Sequence, residues 1–390
     1  MKKIAFLTIL FAFFYVFLLS LCATPVFAET EFKLPKATIS ASSSAQSAFA
    51  FDADTGRVFY QKNANQQRAM ASTTKIATAI TAIRNCKDLD EEVEIGAESV
   101  GIEGTSIYLR VGEVLSVREL LYGLMLRSGN DAATALAYHC AGSVEEFAKL
   151  MNETAALAGA VNTNFTNPHG LDDPNHFTTA QDLAKITAFA LQNDDFRQIV
   201  STKNIKIKGN GEDAYRFLSN KNRLLNSLDG CIGVKTGYTS KAGRCLVSAC
   251  ERDGLRVVCV VLNCGPMFEE SADIINAIYQ KYGSYEILEP YKVVSNIPLV
   301  NGEVPSIQVY SKNGLKLALS QDEFSQINIE YDLPEFLTAP VKIDEAVGKV
   351  EVYFGKHLIF SEKIYTIDEV GSKLLKDKMK DILKKWSVLN

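Results

Sequence analysis

The alternation of apolar and polar positions divides the chain into stretches of different period. Ala48-Phe-Ala-Phe51 and Arg57-Val-Phe-Tyr60 flank Asp52-Ala-Asp-Thr-Gly56, which predicts a hairpin with glycine at its turn. Beyond it, apolar residues recur at helical spacing, and helices are predicted over 73–85, 117–126, 132–140, 144–157 and 179–192. Near position 230 the period changes. Strands are predicted over 233–237, 244–249 and 255–262, the last two joined through Glu251-Arg-Asp-Gly254, and a helix over 271–282 closes the region. Strands, then helices, then strands again predict an α+β unit with helices packed on an antiparallel sheet.

From about residue 285 the chain becomes strand-rich. Short runs at 293–294, 306–310, 315–319, 326–331, 349–353 and 357–365, separated by turn residues, predict a small β-sandwich or barrel without a catalytic cluster of its own. The last twenty residues differ again. Leu375, Met379, Ile382, Trp386 and Leu389 recur at steps of four and three, which places them on one helical face. Six lysines against Asp377 and Asp381 give this segment a charge of +4, mostly on the other face. A helix docked on its own protein is the competing expectation. The lone Trp and the lysine-rich face favour a helix lying at a membrane surface.

The N-terminus has Lys2-Lys3, an apolar run over 4–21, and Ala23-Thr-Pro-Val-Phe-Ala28. That is the pattern of an export signal ending at Ala28. The expected division is therefore a signal peptide over 1–28, a polar linker over 29–47, a main domain over 48–284, a β-rich domain over 285–367 and an amphipathic helix over 368–390. A net charge of -5 over 390 residues gives no reason to expect a nucleic-acid partner. Seven cysteines follow the signal, an odd number with no CxxC pair, which argues against zinc and against a redox site of that type. Small buried apolar residues are the expected role. Cys245 and Cys250, five apart in one predicted strand, should face opposite ways.

Candidate chemistry narrows the picture. GxSxG and HExxH are both absent, and His139, His169, His176 and His357 show no telling spacing with a serine. A serine activated by a lysine remains. Ser72-Thr-Thr-Lys75 sets the two three residues apart, one turn along a helix. As a plain helix start the pair is odd, because Lys75 stands where a capping box wants Glu or Gln. A cation in the first turn is also opposed by the helix dipole. A catalytic reading needs the lysine moved from about 10.4 to about 7, roughly 4 to 5 kcal/mol of differential interaction. A second cation is therefore expected in the site. Arg127-Ser128-Gly129-Asn130-Asp131 joins two helices, and Lys235-Thr236-Gly237 lies on a strand; each motif alone also reads as a turn or a strand end.

Taken together, SxxK, then SxN, then KTG, in this order, resemble the penicillin-recognising serine enzymes. The stretches Asn164-Phe-Thr-Asn-Pro-His-Gly-Leu171 and His176-Phe-Thr-Thr-Ala-Gln-Asp-Leu183 resemble the serine-type D-Ala-D-Ala carboxypeptidases, the low-molecular-mass penicillin-binding proteins. No ExxLN, the pattern a class A β-lactamase would show, occurs between Ser128 and Lys235.

The resemblance implies a β-lactamase/transpeptidase-like catalytic fold and no cofactor or metal. It implies a peptidoglycan pentapeptide ending in D-Ala-D-Ala as substrate and β-lactams as covalent inhibitors. It also implies an exported enzyme at the outer face of the cytoplasmic membrane. Ser72 is then the nucleophile, Lys75 its base, Ser128 a proton relay, and Asn130 the residue that orients Lys75. Lys235 and Thr236 bind the terminal carboxylate, while Gly237 and Tyr238 line the subsite, and the Ser72 and Tyr238 N–H groups form the oxyanion hole. A β-lactamase, a transpeptidase and a catalytically weak scaffold are the alternatives. Gly265-Pro-Met-Phe-Glu-Glu270 is acidic where the family carries an arginine, so Lys221 or Arg244 is expected to substitute.

Overall fold

The computed structural model describes residues 34–211, 214–374 and 379. The predicted signal peptide over 1–28 lies outside them, as does all of the tail from 375 onward except 379.

The main domain is built on a five-stranded antiparallel sheet with the order β2-β1-β9-β8-β7. Its strands are β1 (Ser47–Asp52) and β2 (Val58–Lys62), which form the N-terminal hairpin. Two small hairpins follow in the chain, β3 (Glu92–Glu94) with β4 (Val114–Ser116), and β5 (Asn204–Lys208) with β6 (Tyr215–Ser219). Then come β7 (Cys231–Thr239), β8 (Gly243–Arg252) and β9 (Leu255–Leu262). The small hairpins were not predicted; β3 and β4 are only three residues long and carry too few alternations to register.

Both faces of the sheet are covered, which is why β9 reads as a near-continuous apolar run. On β9, Val258, Val260 and Leu262 face the larger core, while Val257, Cys259 and Val261 face the smaller one. Cys245 and Cys250 on β8 fall on opposite faces in the same way. The larger core holds the helices Lys75–Asn85, Asn130–Ala141, Val144–Leu157 and Ala180–Ala190. The first of these is central, with every residue from Lys75 to Ile83 buried.

Three boundaries differ from expectation. The closing helix spans Met267–Tyr279, and Tyr282 instead begins β10 (Tyr282–Leu288). The expected domain boundary at 284/285 therefore falls inside a strand. The polar stretch read as a linker over 29–47 is not free where it is described. Ala37 and Ala45 are buried in the smaller core, the Thr38 N–H donates to Tyr282 Oη at 3.0 Å, and Ser43 Oγ donates to Glu270 at 2.5 Å. Its serines hide two buried alanines.

The second domain contains β11 (Val293–Val300), β12 (Ser306–Ser311), β13 (Leu315–Ser320), β14 (Ile327–Asp332), β15 (Leu337–Thr338), β16 (Ala346–Phe354) and β17 (His357–Thr366). Six of them form one sheet, and β10 pairs with β13 to form a second. Val309, Val350, Val352 and Ile364 fill the core. Residues 368–373, expected to begin the helical tail, are not helical. Val370 pairs with Val341 and is buried, and Ser372 pairs with Gly302. Arg57 ties the domains together, donating to Glu323 at 2.6 and 2.8 Å and stacking over Tyr282.

Candidate active site

Ser72 lies in a 3-10 turn, Ala71–Thr74, that leads into helix Lys75–Asn85. No side chain caps either element, so Ser72 is not the cap that its position suggested. Its hydroxyl is left for Lys75, whose Nζ stands 3.0 Å from Ser72 Oγ. The same Nζ donates to Asn130 Oδ1 at 2.7 Å and to the His169 carbonyl at 2.6 Å. Burial holds the Lys75 amine well below its ordinary value, helped by the Lys235 and then the Lys221 charges, with Asp131 opposing. The expected second cation is present, though burial is the larger cause.

Asn130 reaches Lys75 because it opens helix Asn130–Ala141 two residues after Ser128, which adopts a left-handed φ of 67° at the end of a π-turn, Gly123–Arg127. Asp131 then fixes the facing loop. Its carboxylate accepts from Ser106 Oγ and from the Ile107 and Leu109 N–H groups, the last two at 3.1 Å. Asn130 Nδ2 donates to the Glu103 carbonyl on that loop.

Strand β7 closes the opposite side. A Cβ on Gly237 would lie 3.0 Å from the Ser72 and Thr73 nitrogens, so glycine lets the strand run against the helix start. Lys235 is buried, donates to the Thr236 carbonyl at 2.9 Å, and is lowered to about 7, by burial first and then by Lys221. Tyr238 is 66% exposed.

A third element was legible only as a motif. Residues 164–171 wrap the helix start: Thr78 Oγ1 donates to the Pro168 carbonyl at 2.6 Å, and Gly170, at φ 86°, sits so close that an added Cβ would meet the Ala71 carbonyl at 2.0 Å. His176 Nδ1 accepts from the Thr166 N–H at 3.0 Å, so its Nε2–H donates to Thr74 Oγ1 at 2.8 Å. Burial keeps that ring neutral, lowered to about 4. The role of the His169 carbonyl has no sequence signal, because any residue supplies a carbonyl.

These elements surround a cleft of about 790 Å³ lined by Ser72, Ser128, Thr236, Gly237 and Tyr238. Its wall carries Arg127, Lys221, Arg223 and Arg244 and no carboxylate among the described residues. Met267 and Phe268 face the cleft, whereas Glu270 turns away to Ser43, Ser44 and Cys264. The acidic stretch therefore does not oppose an anion there.

An antiparallel sheet covered on both faces, a buried lysine beside a serine at a helix start, and a second lysine on the edge strand define a penicillin-recognising serine enzyme. The chain belongs to the D-alanyl-D-alanine carboxypeptidase family, which residues 34–265 match, and residues 282–372 match the C-terminal domain of penicillin-binding protein 5. It is 30% identical to the D-alanyl-D-alanine carboxypeptidase DacF of Bacillus subtilis over 312 residues, covering 78% of this chain and 80% of that one. Among solved structures it resembles penicillin binding protein 5 of Haemophilus influenzae, with a TM-score of 0.69 at 28% identity, over 85% of this chain and 99% of that one. A mutant of the Streptomyces K15 DD-transpeptidase matches at 34% identity and a TM-score of 0.58, over 61% of this chain and 98% of that one.

Proposed function

We propose that this protein is a serine-type D-alanyl-D-alanine carboxypeptidase that removes the terminal D-Ala from peptidoglycan stem peptides through an acyl-enzyme on Ser72. β-Lactams acylate the same serine. The observation that carries this reading is the set of partners around Lys75 Nζ. A neutral amine has two N–H bonds and one lone pair. Asn130 Oδ1 and the His169 carbonyl can only accept, and they use both N–H bonds. The lone pair is left facing the Ser72 hydroxyl, which then donates its proton.

The reaction follows from that arrangement. Ser72 Oγ attacks the penultimate D-Ala carbonyl as Lys75 takes the hydroxyl proton. The Ser72 and Tyr238 N–H groups stabilise the oxyanion, worth roughly 3 kcal/mol or more per donor. Ser128 relays a proton to the leaving D-Ala amine, and water then hydrolyses the ester. Lys235 and Thr236 hold the terminal carboxylate, with Arg244 and Lys221 on the cleft wall supplying the charge that the family's arginine would bring.

A β-lactamase reading is weaker, because no carboxylate lines the cleft among the described residues to activate water on a penicilloyl ester. The likeness to a structure named a DD-transpeptidase keeps transfer as a second reading, since both outcomes start from one acyl-enzyme. Incubating the protein with diacetyl-Lys-D-Ala-D-Ala, with and without an amine acceptor, separates them. Release of free D-Ala without acceptor incorporation supports the carboxypeptidase; a predominant transfer product supports the transpeptidase. A stable penicillin adduct with neither product supports a scaffold.

The sequence pattern of an export signal over 1–28 and of an amphipathic tail supports the reading that the enzyme acts outside the cell, peripheral on the cytoplasmic membrane. No helix among the described residues is long and apolar enough to cross a membrane. Deleting 375–390 releases the protein from membranes on this reading; retention would locate the anchor elsewhere.

A further inference from the structure

Cys86 and Cys140 stand apart from the cleft. Cys86 is the C-terminal cap of helix Lys75–Asn85, and Cys140 lies in the last turn of helix Asn130–Ala141. Their sulfurs are 3.3 Å apart, and both residues are only partly buried. The two helices thus run side by side in the same direction. Lys75 and Asn130 join them at one end, and the two thiols meet at the other, roughly 16 Å away for an eleven-residue helix.

We propose that Cys86 and Cys140 form a redox-made disulfide that clasps the rear ends of the two helices whose front ends carry Lys75 and Asn130. The geometry suits the chemistry. The two thiols share this hydrogen bond, which draws the Cys86 thiol below its ordinary value and raises Cys140. Cys86 is therefore the attacking thiolate. It displaces one thiolate from a low-molecular-weight disulfide and forms a mixed disulfide. Cys140 then attacks the Cys86 sulfur, expelling the second thiol. Two protein thiols are oxidised, one external disulfide is reduced, and the two protons leave with the two released thiols.

The remaining thiols are less suited. Cys245, Cys259 and Cys264 are buried, which pushes them to about 11, about 12 and about 12. Cys231 and Cys250 face each other across β7 and β8, but Cys250 is fully buried in a sheet already closed by its ladder. Glu91 and His139 lie beside Cys86, their ligand atoms and its sulfur all within 4.8 Å of one another, so a bound metal is the rival occupant of this corner.

The test uses the full chain. Treat it with oxidised glutathione at about pH 8, alkylate the free thiols, digest, and identify linked peptides by mass spectrometry. The proposal expects a Cys86–Cys140 cross-link and a thermal midpoint for the catalytic domain higher by roughly 10 °C, both reversed by dithiothreitol. The single variant Cys140→Ala should trap glutathione on Cys86. The double variant Cys86→Ser, Cys140→Ser should lose the midpoint shift while acylating with penicillin in reducing buffer within about twofold of the parent. Alkylation of both thiols after oxidant, a cross-link confined to Cys231 and Cys250, or a stoichiometric metal shielding Cys86 would each overturn it.

Discussion

Lys75 Nζ donates to Asn130 Oδ1 at 2.7 Å, joining the first turns of two helices. In the neutral amine, that bond together with the one to the His169 carbonyl fixes which way the Lys75 lone pair points. Asn130→Ala frees one N–H and lets the amine rotate. Acylation by benzylpenicillin should then fall about 10²-fold while the protein stays folded, as stopped-flow acylation kinetics and circular dichroism would show.

The two buried lysines set opposite limbs of a pH profile. Lys75 is held well below its ordinary value, which favours the neutral amine, and acting as the proposed base it would lose that role when acid protonates it. Lys235, lowered to about 7, is cationic below that value and loses its hold on a carboxylate above it. The kcat/KM for peptide should therefore fall on both sides, with the alkaline limb near pH 7. Lys235→Arg keeps its charge at every working pH and should remove the alkaline limb.

Lys221 depresses both lysines from the cleft wall. Removing its charge in Lys221→Gln raises Lys75, so the acid limb should move to higher pH and acylation at pH 6 should slow. An unmoved acid limb in the same titration would mean that burial and Lys235 tune Lys75 without Lys221.

Gly170 is the contact on which the wrapping loop depends. A Cβ there meets the Ala71 carbonyl at 2.0 Å, at a φ of 86° that alanine resists. Gly170→Ala should displace the turn that carries Ser72 and cut acylation by about 10²-fold, with a lowered thermal midpoint.

His176 gives a pH-dependent stability. Its folded value, about 4, lies below the ordinary 6.5, so the unfolded chain binds more protons between them. The contribution is fully present above about 6.5 and is lost as pH falls toward about 4, roughly 3 kcal/mol over that window. His169, lowered to about 3, adds with the same sign. Urea unfolding at pH 7 and pH 4.5 should show a smaller difference for His176→Gln than for the parent.

Much of this architecture is written in local pattern. Strand β9 and helix Val144–Leu157 have the predicted ends, because a near-continuous apolar run and a 3.6-residue period each continue unbroken to a turn. SxxK, SxN and KTG could be read as a set, and the fold brings all three to one cleft. What escaped depends on distant partners. The serine-rich segment before β1 conceals Ala37 and Ala45, which are buried only because Tyr282 and Glu270 receive it. The acidic Glu270 looked hostile to an anion until its partners turned it away. The His169 carbonyl and the Asp131 clasp on residues 106–109 are backbone contacts that no residue type announces.

On the proposed mechanism, Ser72 is acylated because a neutral Lys75 takes its proton. Peptide mass spectrometry after benzylpenicillin, run on the parent, Ser72→Ala and Lys75→Ala proteins, tests it most directly. One long-lived penicilloyl group is expected on the Ser72 peptide of the parent, none on Ser72→Ala, and labelling slowed at least about 10³-fold in Lys75→Ala. A penicilloyl group on another residue, or labelling of Lys75→Ala at the parent's rate, would contradict it.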